Sequence, residues 1–174
     1  IRKKIQYILK FKIIHKKIKI FSSQKFSNHI INYVLNDKDK NYIISLAHGE
    51  ILRNKKLLIT KNLIHFHPGR LPYFRGATSI YYSLLRKKEI CCSAKILSLN
   101  LDGGDVLFFK KFPFPKKNKD IDRKYDIEVR TICLAYLIKN FKKLKSKPQK
   151  KINKIHYYLA HPIIRKLAVM KMRR

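Results

Sequence analysis

Two short apolar runs, each closed by a residue that breaks regular structure, constrain the fold of this chain most. Residues 42–47 are rich in β-branched side chains and stop before Gly49, and residues 63–67 stop before Pro68. Apolar runs of this length, bounded by glycine or proline, are typical of strands buried in a parallel sheet. Residues 50–59, which lie between them, can form a short helix. The pattern therefore predicts a strand–helix–strand unit.

The segments that follow extend this alternation. Helices are expected from about residue 78 to 87 and from about 126 to 143. Between them, residues 92–100 and 105–113 are expected to form two strands, joined by an Asp102-Gly103-Gly104 turn that favours a hairpin. The predicted fold class is thus α/β, with a mostly parallel sheet, one hairpin, and helices on the faces of the sheet.

The length of the chain bounds its organisation. With 174 residues it can form one domain with a substantial hydrophobic core, but hardly two. We expect a core over residues 1–145 and a basic tail over residues 146–174, with a short helix at 162–171. Because the first residue is Ile1 rather than Met, the N-terminal unit of the core could be truncated.

The chain is strongly basic, with 42 Lys and Arg residues against 10 Asp and Glu residues and a net charge of +32. An excess of this size favours binding to nucleic acid or to an anionic surface. The basic residues are mostly Lys and are spread along the chain, so a drift in composition explains the charge equally well. The charge by itself therefore identifies no substrate.

Cysteine usage and hydropathy bear on the cellular location. Cys91, Cys92 and Cys133 have no spacing that is typical of a zinc knuckle or a redox motif. Three cysteines without a disulfide-dense pattern fit a reducing cytoplasm, which is the location that we predict. The sequence contains no run of about 18 apolar residues, so no membrane-spanning helix is expected.

Polar side chains gather where the second predicted strand ends. His65 and His67 are two residues apart, so both lie on one face of that strand. In α/β sheets, ligands bind beyond the carboxyl ends of the strands, which is where the loop after His67 lies. Asp102, at the tip of the predicted hairpin, is the third candidate. The competing interpretations are that backbone groups satisfy the two histidines and that Asp102 only makes a good turn.

Two motifs resemble those of a known enzyme family. The segment IHFHPGRLPYFRG at 64–76 is similar to the signature loop of the 10-formyltetrahydrofolate-dependent formyltransferases, and Leu-Asp-Gly-Gly at 101–104 matches their second signature. That family includes the glycinamide ribonucleotide, methionyl-tRNA and amino-sugar N-formyltransferases. The resemblance covers roughly residues 42–115. It implies a Rossmann-like formyltransferase fold, with residues 1–145 as the catalytic core.

The resemblance also implies roles for individual residues. His67 falls on the catalytic histidine and Asp102 on the catalytic aspartate, which would orient His67 and raise its pKa. His65 stands where the family has an asparagine, and a neutral His65 could still donate a hydrogen bond from one ring nitrogen. Four apolar residues are implied for the pocket that holds the folate pteridine: Ile51, Leu52, Leu63 and Leu97.

The function that follows from the resemblance is an N-formyltransferase, with 10-formyltetrahydrofolate as formyl donor and a primary amine as acceptor. A nucleotide-linked amino sugar is favoured as the acceptor because the tRNA enzymes carry an extra C-terminal domain. A methionyl-tRNA formyltransferase-like enzyme, with tRNA as its partner, is the alternative.

Two hypotheses from other functional classes also stay open. The first is a metal-dependent hydrolase with His65, His67 and Asp102 as ligands, since two histidines and a carboxylate can hold zinc or iron. The second is an RNA-binding module, which rests on the charge alone. The sequence does not indicate an oligomeric state.

Overall fold

Helices and strands alternate along the chain and form a four-stranded sheet and a small two-stranded sheet among the described residues. The computed structural model describes residues 27–45, 51–115, 120–150 and 155–172. The helices are α1 (Asn28–Asn36), α2 (Lys55–Thr60), α3 (Ser79–Lys87), α4 (Asp126–Asn140) and α5 (Pro162–Met172). The strands are β1 (Asn41–Ile43), β2 (Asn62–His67), β3 (Arg75–Gly76), β4 (Ile90–Ile96), β5 (Val106–Phe112) and β6 (His156–Tyr157).

Most of the predicted elements are confirmed, with shifted ends. The helix expected over 50–59 is the shorter α2, and the strand expected over 42–47 is β1; residues 46–50 lie outside the described part of the chain. A π-helical turn, Ile121–Tyr125, leads into α4, and a 3-10 turn, Phe141–Lys143, follows it. Residues 1–26 of the predicted core also lie outside the described residues.

The four-stranded sheet has the order β1-β2-β4-β5. The α/β class is confirmed, but among the described strands only the β1–β2 pairing in this sheet is parallel, rather than most pairings as expected. The reason is that β4 begins beside the end of β2, where His67 pairs with Ser93. The connection through α3 therefore brings the chain back to the end of the sheet where β2 finishes. From there β4 runs antiparallel to β2.

The predicted hairpin is the β4–β5 pair. Its turn carries Asp102 in the left-handed region, at φ 52°. At Gly104 a side chain would be excluded, because a Cβ atom there would lie 1.8 Å from the carbonyl oxygen of Ile96. The pairing slips between Ala94 and Lys95, which is a β-bulge next to the turn.

One face of the sheet packs against α4. From that helix Val129, Cys133 and Leu137 are buried at four-residue spacing, as one face of an amphipathic helix requires. They meet Phe66 of β2 and Ala94 of β4 in the main hydrophobic cluster. Because side chains alternate along a strand, the neighbours of Phe66 and Ala94, namely the two histidines and Lys95, face the other side of the sheet.

The described part of the predicted tail packs on this core. β6 pairs in parallel with β3, and α5, where a helix was expected at 162–171, packs against α3. Ala160 and Ala168 are buried in the main hydrophobic cluster. The division at residue 145 stays a prediction, although the segment after it folds back onto the core rather than extending from it.

Two further observations concern the cellular setting. Cys91, Cys92 and Cys133 are all buried free thiols. Within the described residues, no helix is both long enough and apolar enough to cross a membrane. The cytoplasmic location stays a prediction.

Candidate active site

His67 ends β2 and is only 4% exposed. Its Nε2 lies 2.6 Å from the carbonyl oxygen of Phe74 and 3.1 Å from the hydroxyl of Ser79. A carbonyl only accepts hydrogen bonds, so we assign the proton of the neutral ring to Nε2 and a lone pair to Nδ1. Burial lowers the pKa of His67 to about 4, so the ring is neutral near pH 7.

Asp102 reaches the same place from the hairpin turn. Its Oδ2 accepts the backbone N–H of Gly76 at 2.7 Å. Its Oδ1 lies 3.7 Å from Nδ1 of His67 and accepts a hydrogen bond from Nζ of Lys95 at 2.5 Å. Burial opposes ionisation of this carboxyl, but the neighbouring His67 and Lys95 and the Gly76 N–H hold its pKa well below the usual range.

The expected effect of Asp102 on His67 is outweighed. The carboxylate does favour the protonated ring, as the resemblance implied, but burial and the nearby Lys95 and Arg130 act against it. The pKa of His67 is consequently lowered rather than raised. The separation of 3.7 Å between Nδ1 and Oδ1 is also longer than a hydrogen bond.

His65 is oriented by the neighbouring parallel strand. Its Nδ1 lies 3.2 Å from the carbonyl oxygen of Ile44, so Nδ1 carries the proton of the neutral ring and donates it to that carbonyl. Burial, followed by the charges of Arg130 and Lys95, lowers the pKa of His65 to about 4. The single N–H of the neutral ring is thus already used, and the donor role expected in place of asparagine is not available from this tautomer.

Lys95 is the first of two residues of the candidate site that the sequence interpretation missed. It is 3% exposed, lies directly across from His65 in the β2–β4 pairing, and forms an ion pair with Asp102. One signal could have found it. A lysine within the otherwise buried strand ICCSAKI needs a charged partner, because buried lysines are rare unless they are paired.

A second missed residue, Gln149, holds the two signature segments together. Its Nε2 donates to the carbonyl oxygens of Asp102 and Gly104 at 2.8 and 2.6 Å, and its Oε1 accepts from Arg75 at 2.8 Å. The site is therefore assembled from β2, the loop that ends at Gly76, β4, the hairpin turn and the segment after residue 145. Sequence spacing carries no signal for Gln149, since 47 residues separate it from Asp102.

Comparison with known proteins relates this geometry to an enzyme family. No family model matches the chain. The methionyl-tRNA formyltransferase of Borreliella afzelii (strain PKo) is 29% identical over 124 residues, which are 70% of this chain and 38% of that protein. Among solved structures, a sugar N-formyltransferase from Shewanella sp. FDAARGOS_354 has a TM-score of 0.61 at 14% identity, covering 84% of this chain and 64% of that one. The chain is thus similar in sequence to methionyl-tRNA formyltransferases and in fold to a sugar N-formyltransferase.

A further structural neighbour is the formyltransferase PseJ from Anoxybacillus kamchatkensis, with a TM-score of 0.54 at 16% identity, covering 71% of this chain and 67% of that one. That protein was crystallised with UDP-4,6-dideoxy-4-formamido-L-AltNAc and tetrahydrofolate. At such identities the likeness concerns the fold, which is the Rossmann-like fold of the formyltransferases. The chain spans between 24% and 38% of the length of the curated formyltransferases that it matches.

The apolar residues implied for a folate pocket separate into two groups. Leu52, Leu63 and Leu97 pack together in a second hydrophobic cluster, and the backbone N–H of Leu97 donates to the carbonyl oxygen of Leu63 at 2.8 Å. Leu63 is 1% exposed, whereas Ile51 is 52% exposed and lies outside that cluster. Leu63 is also two residues before His65, so the cluster continues the sheet face that carries the histidines.

The metal-dependent hydrolase hypothesis finds no support in these observations. Among the described residues, no group of three His, Cys, Asp or Glu side chains is placed to hold a metal ion. The expected ligands have other partners, since His65 bonds to Ile44 and Asp102 to Lys95. The matched relatives are formyltransferases.

Proposed function

We propose that the chain carries the catalytic part of an N-formyltransferase, which transfers a formyl group from 10-formyltetrahydrofolate to a primary amine. The observation that carries the proposal is the approach of Nδ1 of His67 to within 3.7 Å of Asp102 at the end of β2. Both residues come from the two motifs that resemble the family signatures. The relationship to methionyl-tRNA formyltransferases supports the same reaction class.

The protonation states suit the chemistry of formyl transfer. The folate supplies the formyl carbon, and the acceptor amine must lose a proton as its nitrogen bonds to that carbon. A neutral His67 with a lone pair on Nδ1 can accept this proton, because its pKa of about 4 keeps it unprotonated near pH 7. The proton then passes to the folate nitrogen that the formyl group leaves, so the reaction is balanced without another reactant.

We propose that the folate pteridine lies on the apolar surface beside His65. Leu52 and Leu97 would contact the ring, Ile51 would cover it, and the buried Leu63 would support the other two from beneath. The fit is chemical: a planar ring needs an apolar surface next to the reacting groups, and this surface continues the face that carries the histidines. The Anoxybacillus formyltransferase was solved with tetrahydrofolate, which supports a folate as the formyl donor.

Two acceptors are compatible with the proposal. The sequence interpretation favours a nucleotide-linked amino sugar, and a sugar N-formyltransferase is among the structural neighbours. The initiator methionyl-tRNA is the second candidate, favoured by the curated relatives and by the net charge of +32. In both, the amine is attached to a phosphate-bearing molecule, which a basic protein attracts. We expect these reactions to occur in the cytoplasm.

The decisive experiment supplies 10-formyltetrahydrofolate with each acceptor in turn and measures the formylated product by mass spectrometry. We expect transfer to one acceptor, and a loss of about 10²-fold or more in the His67→Asn variant, because the group that accepts the proton is removed. The matched control is His29→Gln, an exposed histidine on α1, which should leave the rate unchanged. If neither acceptor is formylated, or if His67→Asn is as active as the wild type, the proposal is wrong.

A further inference from the structure

Two basic groups face the same oxygen of Asp102. Nζ of Lys95 lies 2.5 Å from Oδ1, whereas Nδ1 of His67 lies 3.7 Å from it. Only the first distance is within hydrogen-bond range. The oxygen that would pair with the histidine is therefore occupied by a lysine ammonium. Both side chains that form this pair are largely buried, so water screens their interaction little.

The regular β2–β4 pairing explains how Lys95 comes to this position. Ala94 pairs with Phe108 and Lys95 with Val106, so the partner strand β5 has one extra residue at this point. The β-bulge is therefore on β5, and the β2–β4 register continues through this point without a shift. Lys95 remains opposite His65, on the same sheet face as Ser93, whose hydroxyl holds the loop after His67 by donating to Gly69 at 2.7 Å.

The hydrogen bonds of His67 show what the lysine does. Its Nε2 is within 2.6 Å of a carbonyl oxygen and carries the ring proton, so Nδ1 of the neutral ring is an acceptor that faces a carboxylate. Two acceptors repel each other unless a donor lies nearby or one of them gains a proton. The ammonium of Lys95 satisfies the carboxylate and removes the need to protonate Nδ1.

We propose that Lys95 is a positioning residue: by bonding to Oδ1 of Asp102 it keeps His67 as the neutral Nε2–H tautomer, with the Nδ1 lone pair available to a substrate. As a statement about catalysis, this inference rests on the proposed formyltransferase function. The charged or titratable groups that act on His67 are His65 of the same strand, Lys95 of β4, Asp102 of the turn and Arg130 of α4. Lys95 alone among them bonds to the carboxylate that faces the ring.

The test compares Lys95→Met with the wild type by following histidine ring nitrogens in ¹⁵N-histidine-labelled protein across pH 4–8. Without the ammonium, protonated His67 can donate from Nε2 to Phe74 and from Nδ1 to Asp102, so the imidazolium is favoured. We expect the pKa of His67 to rise by about one pH unit or more, whereas wild-type His67 stays neutral, with its proton on Nε2, down to pH 5. Unchanged titration in the variant would overturn the proposal.

A matched control separates this effect from the general loss of a buried lysine. Lys61 is 7% exposed and donates to the backbone carbonyls of Asp37 and Asp39, so Lys61→Met also removes a buried ammonium. We expect His67 to titrate in Lys61→Met as in the wild type; an equal rise in both variants would overturn the proposal. Lys95→Gln provides a second variant that keeps an N–H donor for Asp102 but no charge, and it should also raise the pKa of His67.

The catalytic part of the inference has its own readout. In Lys95→Met the acid limb of the pH–rate profile should move to higher pH together with the titration of His67, and a merely structural role would lower the rate without moving that limb. A limb that stays in place would refute the catalytic role. If the wild type formylates no acceptor, the proposed function fails, while the titration still decides whether Lys95 controls His67.

Discussion

The backbone N–H of Gly76 donates to Oδ2 of Asp102 at 2.7 Å, and this bond joins the two signature segments. It holds one carboxylate oxygen, so that the other faces Lys95 and His67. Gly76 adopts φ 95°, a conformation that glycine adopts most readily. The position of the carboxylate therefore depends on residue 76 being a glycine, because other residues rarely adopt this backbone conformation.

The bond between Asp102 and Lys95 predicts a loss of stability as well as of activity in Asp102→Asn. The variant leaves a buried ammonium without its counter-charge, which we expect to lower the free energy of unfolding by about 3 kcal/mol. Formyl transfer should also fall, by about 10²-fold or more, because His67 loses its neighbouring carboxylate. Urea unfolding and the transfer assay measure the two effects. Asp105→Asn, at a less buried carboxylate in the same turn, is the control and should change stability little.

The hydrogen bond from His65 to Ile44 predicts that His65→Asn raises activity. The asparagine amide has two N–H donors, so it can bond to the carbonyl of Ile44 and still donate one to the negative charge that develops on the formyl oxygen. We expect the transfer rate to rise about tenfold. His65→Leu, which supplies no donor, serves as the comparison. A rate in His65→Asn below that of the wild type would show that the histidine itself has a role in transfer.

The close approach of Gly76 to β6 predicts that Gly76→Ala is strongly destabilising. A Cβ atom there would lie 2.1 Å from the carbonyl oxygen of Tyr157, and the positive φ is unfavourable for alanine. We expect a loss of at least about 2 kcal/mol in the free energy of unfolding. Ala77→Gly, at the exposed neighbouring residue, should cost less than about 1 kcal/mol. Equal midpoints of urea unfolding for the two variants would contradict this prediction.

The two buried histidines predict that stability falls as the pH is lowered below neutrality. The pKa of His67 is about 4 in the folded protein and 6.5 as the reference, so between these values the unfolded chain binds more protons. The contribution of His67 to the free energy of unfolding is therefore fully present above pH 6.5 and is lost progressively as the pH falls to 4. The loss is on the order of 3 kcal/mol. His65 acts in the same direction.

Urea unfolding at pH 7, 6, 5 and 4 measures this dependence. The double variant His65→Asn/His67→Asn should lose much less stability over the same range, because asparagine does not titrate. A wild-type stability that stays constant between pH 6.5 and 4 would mean that the histidines can be protonated without cost in the folded protein.

Several features of this protein follow from the sequence by itself. The runs before Gly49 and Pro68, the Asp102-Gly103-Gly104 turn and the helix expected from about 126 to 143 are local patterns, and the corresponding elements are confirmed. His67 and Asp102 could be named as partners because both belong to recognisable motifs. Local patterns succeed here because backbone preference and side-chain periodicity act over a few residues.

Other features were decided only by the tertiary structure. The direction of β4, the pairing of Lys95 with Asp102, the bonds of Gln149 and the choice of donor nitrogen on each histidine all depend on which groups meet in space. Asp102 and Gln149 are 47 residues apart, and His65 and Ile44 are 21 residues apart. Burial removes water as an alternative partner, so each buried polar group is held to whatever donor or acceptor the fold brings beside it, and no short stretch of sequence specifies that choice.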